Sequence, residues 1–271
     1  MQNEKITIIT NGNYFARIIS ERLFEMDNAR VAGVLIVTGD YKSRTGIKAV
    51  YELGKVTAWP YLVYKILSVL VFKVAAKTHQ SVDYDVESLA KAHKVPILHV
   101  VSLKDSKALE WVKSLNADLI VSVSCPQLIG KKYLESASLG GINIHSSLLP
   151  AYAGLAPYFW TLSQGEKVTG TSVHYMSLKF DQGNILSQRK LEIIKGESAF
   201  HLFWRLAVEG RDALYEGVTL ALKSDQGQKQ DLSQYSYFSN PSLSAYLALR
   251  KQGHVLFRIS EFWDALKNRL K

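Results

Sequence analysis

Apolar positions along this chain recur at two periods, and the periods alternate. Lys5–Thr10 (KITIIT) is a short β-rich run. The turn Asn11-Gly12-Asn13 follows, and then a helical pattern from Tyr14 to Met26 that puts Phe15, Ile18, Ile19 and Leu23 on one face. Val31–Val37 is almost continuously apolar, as a strand buried on both faces of a parallel sheet must be. A short helix is predicted over Val86–Lys94, a strand over Val95–Val101, a helix over Asp105–Leu115 and a further buried strand over Asp118–Ser124. Ile142–His145 and Thr169–Met176 read as two more strands, and Ser198 as the cap of a long helix reaching about Lys223. That helix turns Phe200, Phe203, Trp204, Leu206 and Ala207 inward and Arg205 and Arg211 outward. After the polar stretch 224–229, two short helical patterns follow at 243–251 and 259–270. Helices alternating with apolar strands predict an α/β fold: a Rossmann-like, doubly wound, mostly parallel sheet with a short, mainly helical C-terminal extension. The division falls at 1–223 and 224–271.

Residues 57–76 interrupt this rhythm. The run has membrane-spanning length, yet Lys65 and Lys73 break it and Pro60 sits near its start. At helical spacing Lys65, Lys73 and Lys77 share roughly a third of the circumference and leave a broad apolar face. An inserted apolar helix, or helix pair, at about 57–77 is therefore expected. Its face has three uses to choose from: packing within the protomer, a homodimer interface, or docking on a membrane surface.

Composition narrows the classes. Of 271 residues, 47% are hydrophobic and 21% charged, which is ordinary for a soluble globular protein. The single cysteine, Cys125, excludes an intramolecular disulfide and a cysteine-ligated metal cluster, so no metal site is expected. A reducing cytoplasm is the expected compartment, since Met1–Lys5 runs straight into the first strand with no apolar stretch of signal length. The formal charge of +9 favours an anionic partner: a folate, a nucleotide, nucleic acid or an anionic membrane surface. The turn at Gly12 lacks G-x-G-x-x-G, which excludes a dinucleotide cofactor held in that way.

Candidate chemistry concentrates in residues 141–189. Alternation through Ile142–His145 puts Asn143 and His145 on the same face of a strand. Leu148-Leu149-Pro150 ends it, Ala153-Gly154 supplies a turn where backbone can approach a ligand, and Asp181 arrives on a loop just before Gly183. An amide, an imidazole and a carboxylate in one cleft suit transfer of an acyl group to an amine. The first two stabilise an oxyanion, where losing a donor costs ~3 kcal/mol, and the carboxylate orients the imidazole or relays the amine's proton.

These residues also carry a resemblance. N-x-H-x-S-L-L-P at 143–150, Y-x-G at 152–154, G-T-S-V-H at 170–174 and D-x-G-x-I-L-x-Q at 181–188 resemble the folate-dependent formyltransferases. That family includes glycinamide ribonucleotide, methionyl-tRNA and sugar N-formyltransferases. The resemblance covers roughly residues 5–205, weakest between 40 and 80, and assigns region 1–223 as the catalytic domain. It implies N10-formyltetrahydrofolate as formyl donor and Asn143, His145 and Asp181 as catalytic residues. Backbone groups at Cys125, Gln127 and Leu128 would hold the pterin of the folate. Gly12 and Asn13, in G-N-Y-F-A, resemble the opening of the tRNA and sugar enzymes rather than the phosphate-holding turn of the glycinamide ribonucleotide ones. Lys42 and Arg44, in the loop after the second strand, are candidates for an acceptor phosphate, and His174 for the pocket wall. Ser146 stands where many members have proline, and Ala153 where the tRNA-type motif has arginine.

The expected acceptor is a small anionic amine, an amino sugar of a nucleotide-linked sugar. A tail much shorter than the domain with which the tRNA enzymes grip their substrate weighs against tRNA, which stays as the alternative beside a non-catalytic nucleotide-binding module. The aromatic cluster Tyr235, Tyr237 and Phe238 either stacks on the acceptor or packs against the sheet.

Overall fold

The computed structural model describes residues 4–40, 42–78, 84–177 and 179–267. The side chain of Lys77 and residues 268–270, both part of the expectations above, lie outside them. Seven strands form one sheet in the order β3-β2-β1-β4-β5-β7-β8. Five are parallel: β1 (Glu4–Thr10), β2 (Ala29–Val37), β3 (Ile97–Val100), β4 (Leu119–Val123) and β5 (Gly141–His145). β7 (Val168–Tyr175) and β8 (Ile185–Glu192) continue the sheet antiparallel. The expected doubly wound, mostly parallel sheet is present.

Period-two alternation sends neighbouring side chains to opposite layers. Ile8 joins the larger core, beneath α1 (Tyr14–Ser20) and α8 (Ala199–Leu222), while Ile9 joins the smaller one with Val112 of α5 (Ser106–Ser114) and Tyr133 of α6 (Lys131–Leu134). Asn13 caps α1 through its Oδ1, which accepts from Ala16 N–H at 2.9 Å. α1 is shorter than the predicted 14–26: after Ser20 the chain tightens into a 3-10 turn, Glu21–Glu25, which still delivers Leu23 to the core. α8 begins where expected, with the Ser198 hydroxyl accepting from His201 N–H at 2.9 Å. Phe200, Leu206 and Ala207 are buried beneath it as foreseen, and Phe203 and Trp204 pack partly buried.

The apolar insertion is α3 (Trp59–Thr78), and α2 (Gly46–Val56) precedes it where the sequence pattern gave no expectation. Thr57 separates them in extended backbone and donates its hydroxyl to Pro241 O. One face of α3 packs within the protomer. Tyr61 and Tyr64 meet Phe159 and Phe257, while Phe72 stacks on Tyr14 at 4.0 Å and approaches Phe262. Among the described residues no helix is long and apolar enough to cross a membrane.

The residues after 224 wrap back onto the same core. β9 (Tyr237–Phe238) pairs with β6 (Ala153–Gly154), and Ala245 and Leu249 of α9 (Leu243–Lys251) and Phe262 and Ala265 of α10 (Ile259–Leu266) are buried in the larger cluster. α4 (Val86–Ala92) and α7 (Pro157–Gln164) complete the layers, α7 lying against α9.

Candidate active site

Beyond the carboxyl ends of β4 and β5 lies a cleft of about 660 Å³, where a doubly wound sheet places its ligands. Its walls are the segment 124–129 after β4, Asn143 and His145 of β5, the turn 154–158, His174 of β7 and residues 179–181. Asn143, His145 and Asp181, expected to converge, all line it.

β5 and β7 run antiparallel, and their register sets Asn143 opposite His174 and His145 opposite Ser172. His174 Nδ1 is 2.8 Å from the Tyr175 carbonyl, which can only accept, so that nitrogen carries the proton. In the neutral ring Nε2 then accepts from Asn143 Nδ2–H at 3.2 Å. One amide proton of Asn143 is thereby committed and the other is left for a ligand. By the same logic His145 Nε2–H donates to Tyr152 O at 2.8 Å, leaving Nδ1 as the nitrogen nearest Asp181. His145 can therefore donate a second hydrogen bond only as the imidazolium.

The Asp181 carboxylate sits between the two rings, with Oδ2 3.8 Å from His145 Nδ1 and Oδ1 3.6 Å from His174 Nε2. Its one short bond in this group is from Gly154 N–H, 2.9 Å. Burial pushes the carboxyl's pKa up, but the His145 ring and the Gly154 amide outweigh it and hold Asp181 well below the usual carboxylate range. Asp181 also takes the left-handed conformation (φ 53°), which aspartate tolerates better than most residues. Gln230, beyond the long helix, fixes that strained loop by donating to the carbonyls of Asp181 and Gly183.

Other motif residues build the frame. The Ser172 hydroxyl donates to Ser147 O (2.6 Å) and accepts from Leu149 N–H (3.0 Å), and Gln188 donates to both Ser172 Oγ and Leu149 O. This holds the 147–152 turn so that the Tyr152 carbonyl meets His145. Gly154 (φ +95°) passes so close to β9 that a Cβ there would lie 2.3 Å from Phe238 O.

Cys125, Gln127 and Leu128 all line the cleft. The Gln127 side chain is spent on the scaffold: Oε1 accepts from Leu103 N–H, and Nε2 lies within hydrogen-bonding distance of Gly39 O, Asp40 O and Val101 O. Only its backbone is left for a ligand. Burial pushes the Cys125 thiol up to about 12. Gly12, Asn13, Lys42 and Arg44 are not among the lining residues. Asn13 caps α1, and Arg44 pairs with Asp40 and Glu52 at 2.7 and 3.1 Å.

At the cleft's mouth sequence reasoning offered Tyr237 as one of two readings and missed Phe180. Phe180 and Tyr237 approach each other there at 6.2 Å between ring centres, both about half exposed, with Lys179 and Asn240 beside them. Of the aromatic cluster flagged earlier, Tyr237 lines the cleft, while Phe238 packs between Tyr152 and Trp160. An aromatic directly before Asp181 was the available signal.

Comparison with known proteins places this geometry in context. The formyl transferase family matches residues 69–218. The methionyl-tRNA formyltransferase of Syntrophus aciditrophicus is 35% identical over 192 residues, 71% of this chain and 59% of that protein. The chain thus spans little more than half the length of this curated relative. Among solved structures, glycinamide ribonucleotide transformylase 1 from Symbiobacterium toebii superposes with a TM-score of 0.59 at 19% identity, covering 85% of this chain and 95% of that one. WlaRD, a sugar 3N-formyl transferase solved in the presence of dTDP and 5-N-formyl-THF, does so at 0.57 and 17%, covering 88% and 70%. At these identities the two structures show the fold alone.

Proposed function

The chain belongs to the formyl transferase family, and from that membership we propose that it moves a formyl group from N10-formyltetrahydrofolate to the primary amine of a nucleotide-linked amino sugar. A cleft of about 660 Å³ falls in the range of small-molecule sites, ~300–1,000 Å³. The donor's pterin would lie along Cys125–Leu128, against backbone that Gln127 holds still.

As the amine nitrogen bonds to the formyl carbon, negative charge grows on the formyl oxygen. On this reading the second amide proton of Asn143 receives it together with Nδ1–H of a protonated His145, and the bonds that fix the amide and the ring support those roles. Asp181, anionic at neutral pH, orients the His145 ring and takes the amine's proton directly or through a water. The proton then passes to the folate nitrogen as its bond to the formyl carbon breaks, leaving formylated amine and tetrahydrofolate. No covalent enzyme intermediate is needed.

The observation that carries the acceptor class is the pair Phe180 and Tyr237 at the mouth, with Lys179 adjoining. Two half-exposed rings suit a nucleobase, and a neighbouring ammonium suits its phosphates. The curated relative favours a second reading, a methionyl-tRNA acceptor. Release of tetrahydrofolate separates them when the formyl donor is supplied with a panel of amino-sugar nucleotides, glycinamide ribonucleotide and charged initiator tRNA. Turnover with a sugar nucleotide alone supports the first reading. Turnover with the tRNA alone, falling steeply with salt as several phosphate contacts are screened, replaces it with the second.

A further inference from the structure

The face of α3 turned away from the core is as apolar as the face turned toward it. Trp59, Val63, Leu67 and Leu70 are exposed and, at 100° per residue, fall within about a quarter of the circumference. A helix apolar all round is ordinarily covered on both sides. α2 repeats the pattern: it is amphipathic, none of its residues is buried, and Ile47 (89% exposed) and Tyr51 (64%) stand one turn apart. So do Leu243 and Leu247 on α9, and Ile259 and Trp263 on α10. α3 packs against all three of these helices, so the exposed pairs lie on contiguous elements. Such an area exceeds the isolated apolar residues a soluble surface normally carries.

Cations accompany it. Lys48, Lys55, Lys73 and Lys251 are exposed on the same helices, with Lys267 just beyond α10. Lys55 sits 4.3 Å over the Tyr51 ring and Lys267 5.7 Å over Trp263. The acids are mostly neutralised in place: Glu52 pairs with Lys55 and Arg44, Glu261 is buried against Arg258, and Asp264 is half-buried.

We propose that this face docks on an anionic lipid bilayer, the apolar stripe of α3 and the ends of α2, α9 and α10 entering the interface and the lysines meeting lipid phosphates. Trp, Tyr and Lys beside an apolar stripe are what the headgroup region accommodates. The net charge of +9 adds attraction of the same sign. A second copy of the chain fits the charges worse, because a two-fold contact sets the same patch against itself and would gather the lysines of both copies along one seam. The contact is peripheral, since no described helix is long and apolar enough to cross. The docked helix also reaches the cleft: Tyr61 of α3 shares a 2.9 Å hydrogen bond with Tyr158, a lining residue.

The inference is independent of which amine is formylated, and vesicle flotation tests it on the whole protein. Expected is co-flotation with phosphatidylcholine vesicles containing phosphatidylglycerol, weaker with phosphatidylcholine alone and weakened by salt. Trp59→Ser with Leu67→Ser and Leu70→Ser should reduce the bound fraction about tenfold at an unchanged unfolding midpoint, and Lys48→Glu with Lys73→Glu should abolish the preference for phosphatidylglycerol. Absence of flotation on phosphatidylglycerol vesicles, or flotation that the serine variant leaves intact, overturns the proposal. So does a dimer in solution that the serine variant dissociates while vesicles go unbound.

Discussion

Asn143 on β5 and His174 on β7 lie directly opposite each other and share a 3.2 Å hydrogen bond in which the amide donates to the ring. The amide of a catalytic asparagine is useful only if its N–H points at the developing charge, and His174, itself pinned to Tyr175 O, sets that direction. We therefore regard His174 as a positioning residue. His174→Leu keeps the volume and loses the acceptor.

Deleting an oxyanion donor outright costs ~10²–10³ in turnover, so losing only its orientation should cost about tenfold to a hundredfold in kcat with KM for the donor little changed. His174→Gln, which can still accept through its carbonyl oxygen, should recover part of the loss. Steady-state kinetics of both variants checks this. Equal losses in the two, or a change confined to KM, contradict the positioning role.

Asp181 makes a prediction about pH. Its folded-state pKa lies below the unfolded value, so the carboxylate contributes stability above the ordinary carboxylate range and loses it as pH falls toward the folded value. Asp181→Asn lacks that contribution. The stability difference between wild type and Asp181→Asn should shrink below about pH 4, as the carboxyl that carries it is protonated. Urea unfolding at a series of pH values measures it. A difference that grows on acidification would show that the carboxyl is not held anionic.

The sheet was readable because its strands are short, apolar and separated by helices of the other period. Asn143, His145 and Asp181 were readable as cleft residues because the first two alternate with isoleucines and Asp181 precedes a turn glycine. Three things were not. α2 keeps an amphipathic pattern without burying it, so periodicity alone could not say what it rests on. Lys42 and Arg44 look like free cations in sequence, and only the folded loop reveals the carboxylates of Asp40 and Glu52 around Arg44. Tyr237 was a candidate for stacking on the acceptor, but that it and not Phe238 faces the cleft follows from β9 pairing with β6 across more than eighty residues, a contact that no local pattern announces.

Cys125 should be dispensable for chemistry. Its thiol donates to Gln127 O at 3.2 Å and is pushed up to about 12, so it is almost entirely protonated at neutral pH, and the thiol form is a poor nucleophile. Cys125→Ala should retain turnover within about threefold, the small loss coming from a volume change in the cleft wall. Native protein should react slowly with a thiol-selective alkylating reagent at pH 8 and rapidly once unfolded. Fast labelling of the folded protein with parallel loss of activity would return the thiol to the mechanism.

Two glycines of α8 separate packing from helix propensity. Both face the sheet, and glycine inside a helix costs ~1 kcal/mol relative to alanine, so either substitution gains that much if the added methyl fits. At Gly210 the new Cβ meets Ile144 Cδ1 at 3.0 Å, the far end of a flexible chain that can rotate away. At Gly217 it meets Val173 Cγ1 at 2.5 Å and Cβ at 2.9 Å, on a β-branched side chain locked into β7 with no rotamer to yield. Overpacking of this kind costs ~1–3 kcal/mol, which exceeds the propensity gain. Gly210→Ala should be neutral or slightly stabilising, and Gly217→Ala should lower the unfolding free energy by up to about 2 kcal/mol. Val173 adjoins His174, so pushing β7 outward should also disturb the Asn143 hydrogen bond and reduce kcat in Gly217→Ala alone. Denaturant unfolding and turnover of the pair decide it, and equal behaviour of the two variants would mean that α8 does not press on the sheet as closely as these distances require.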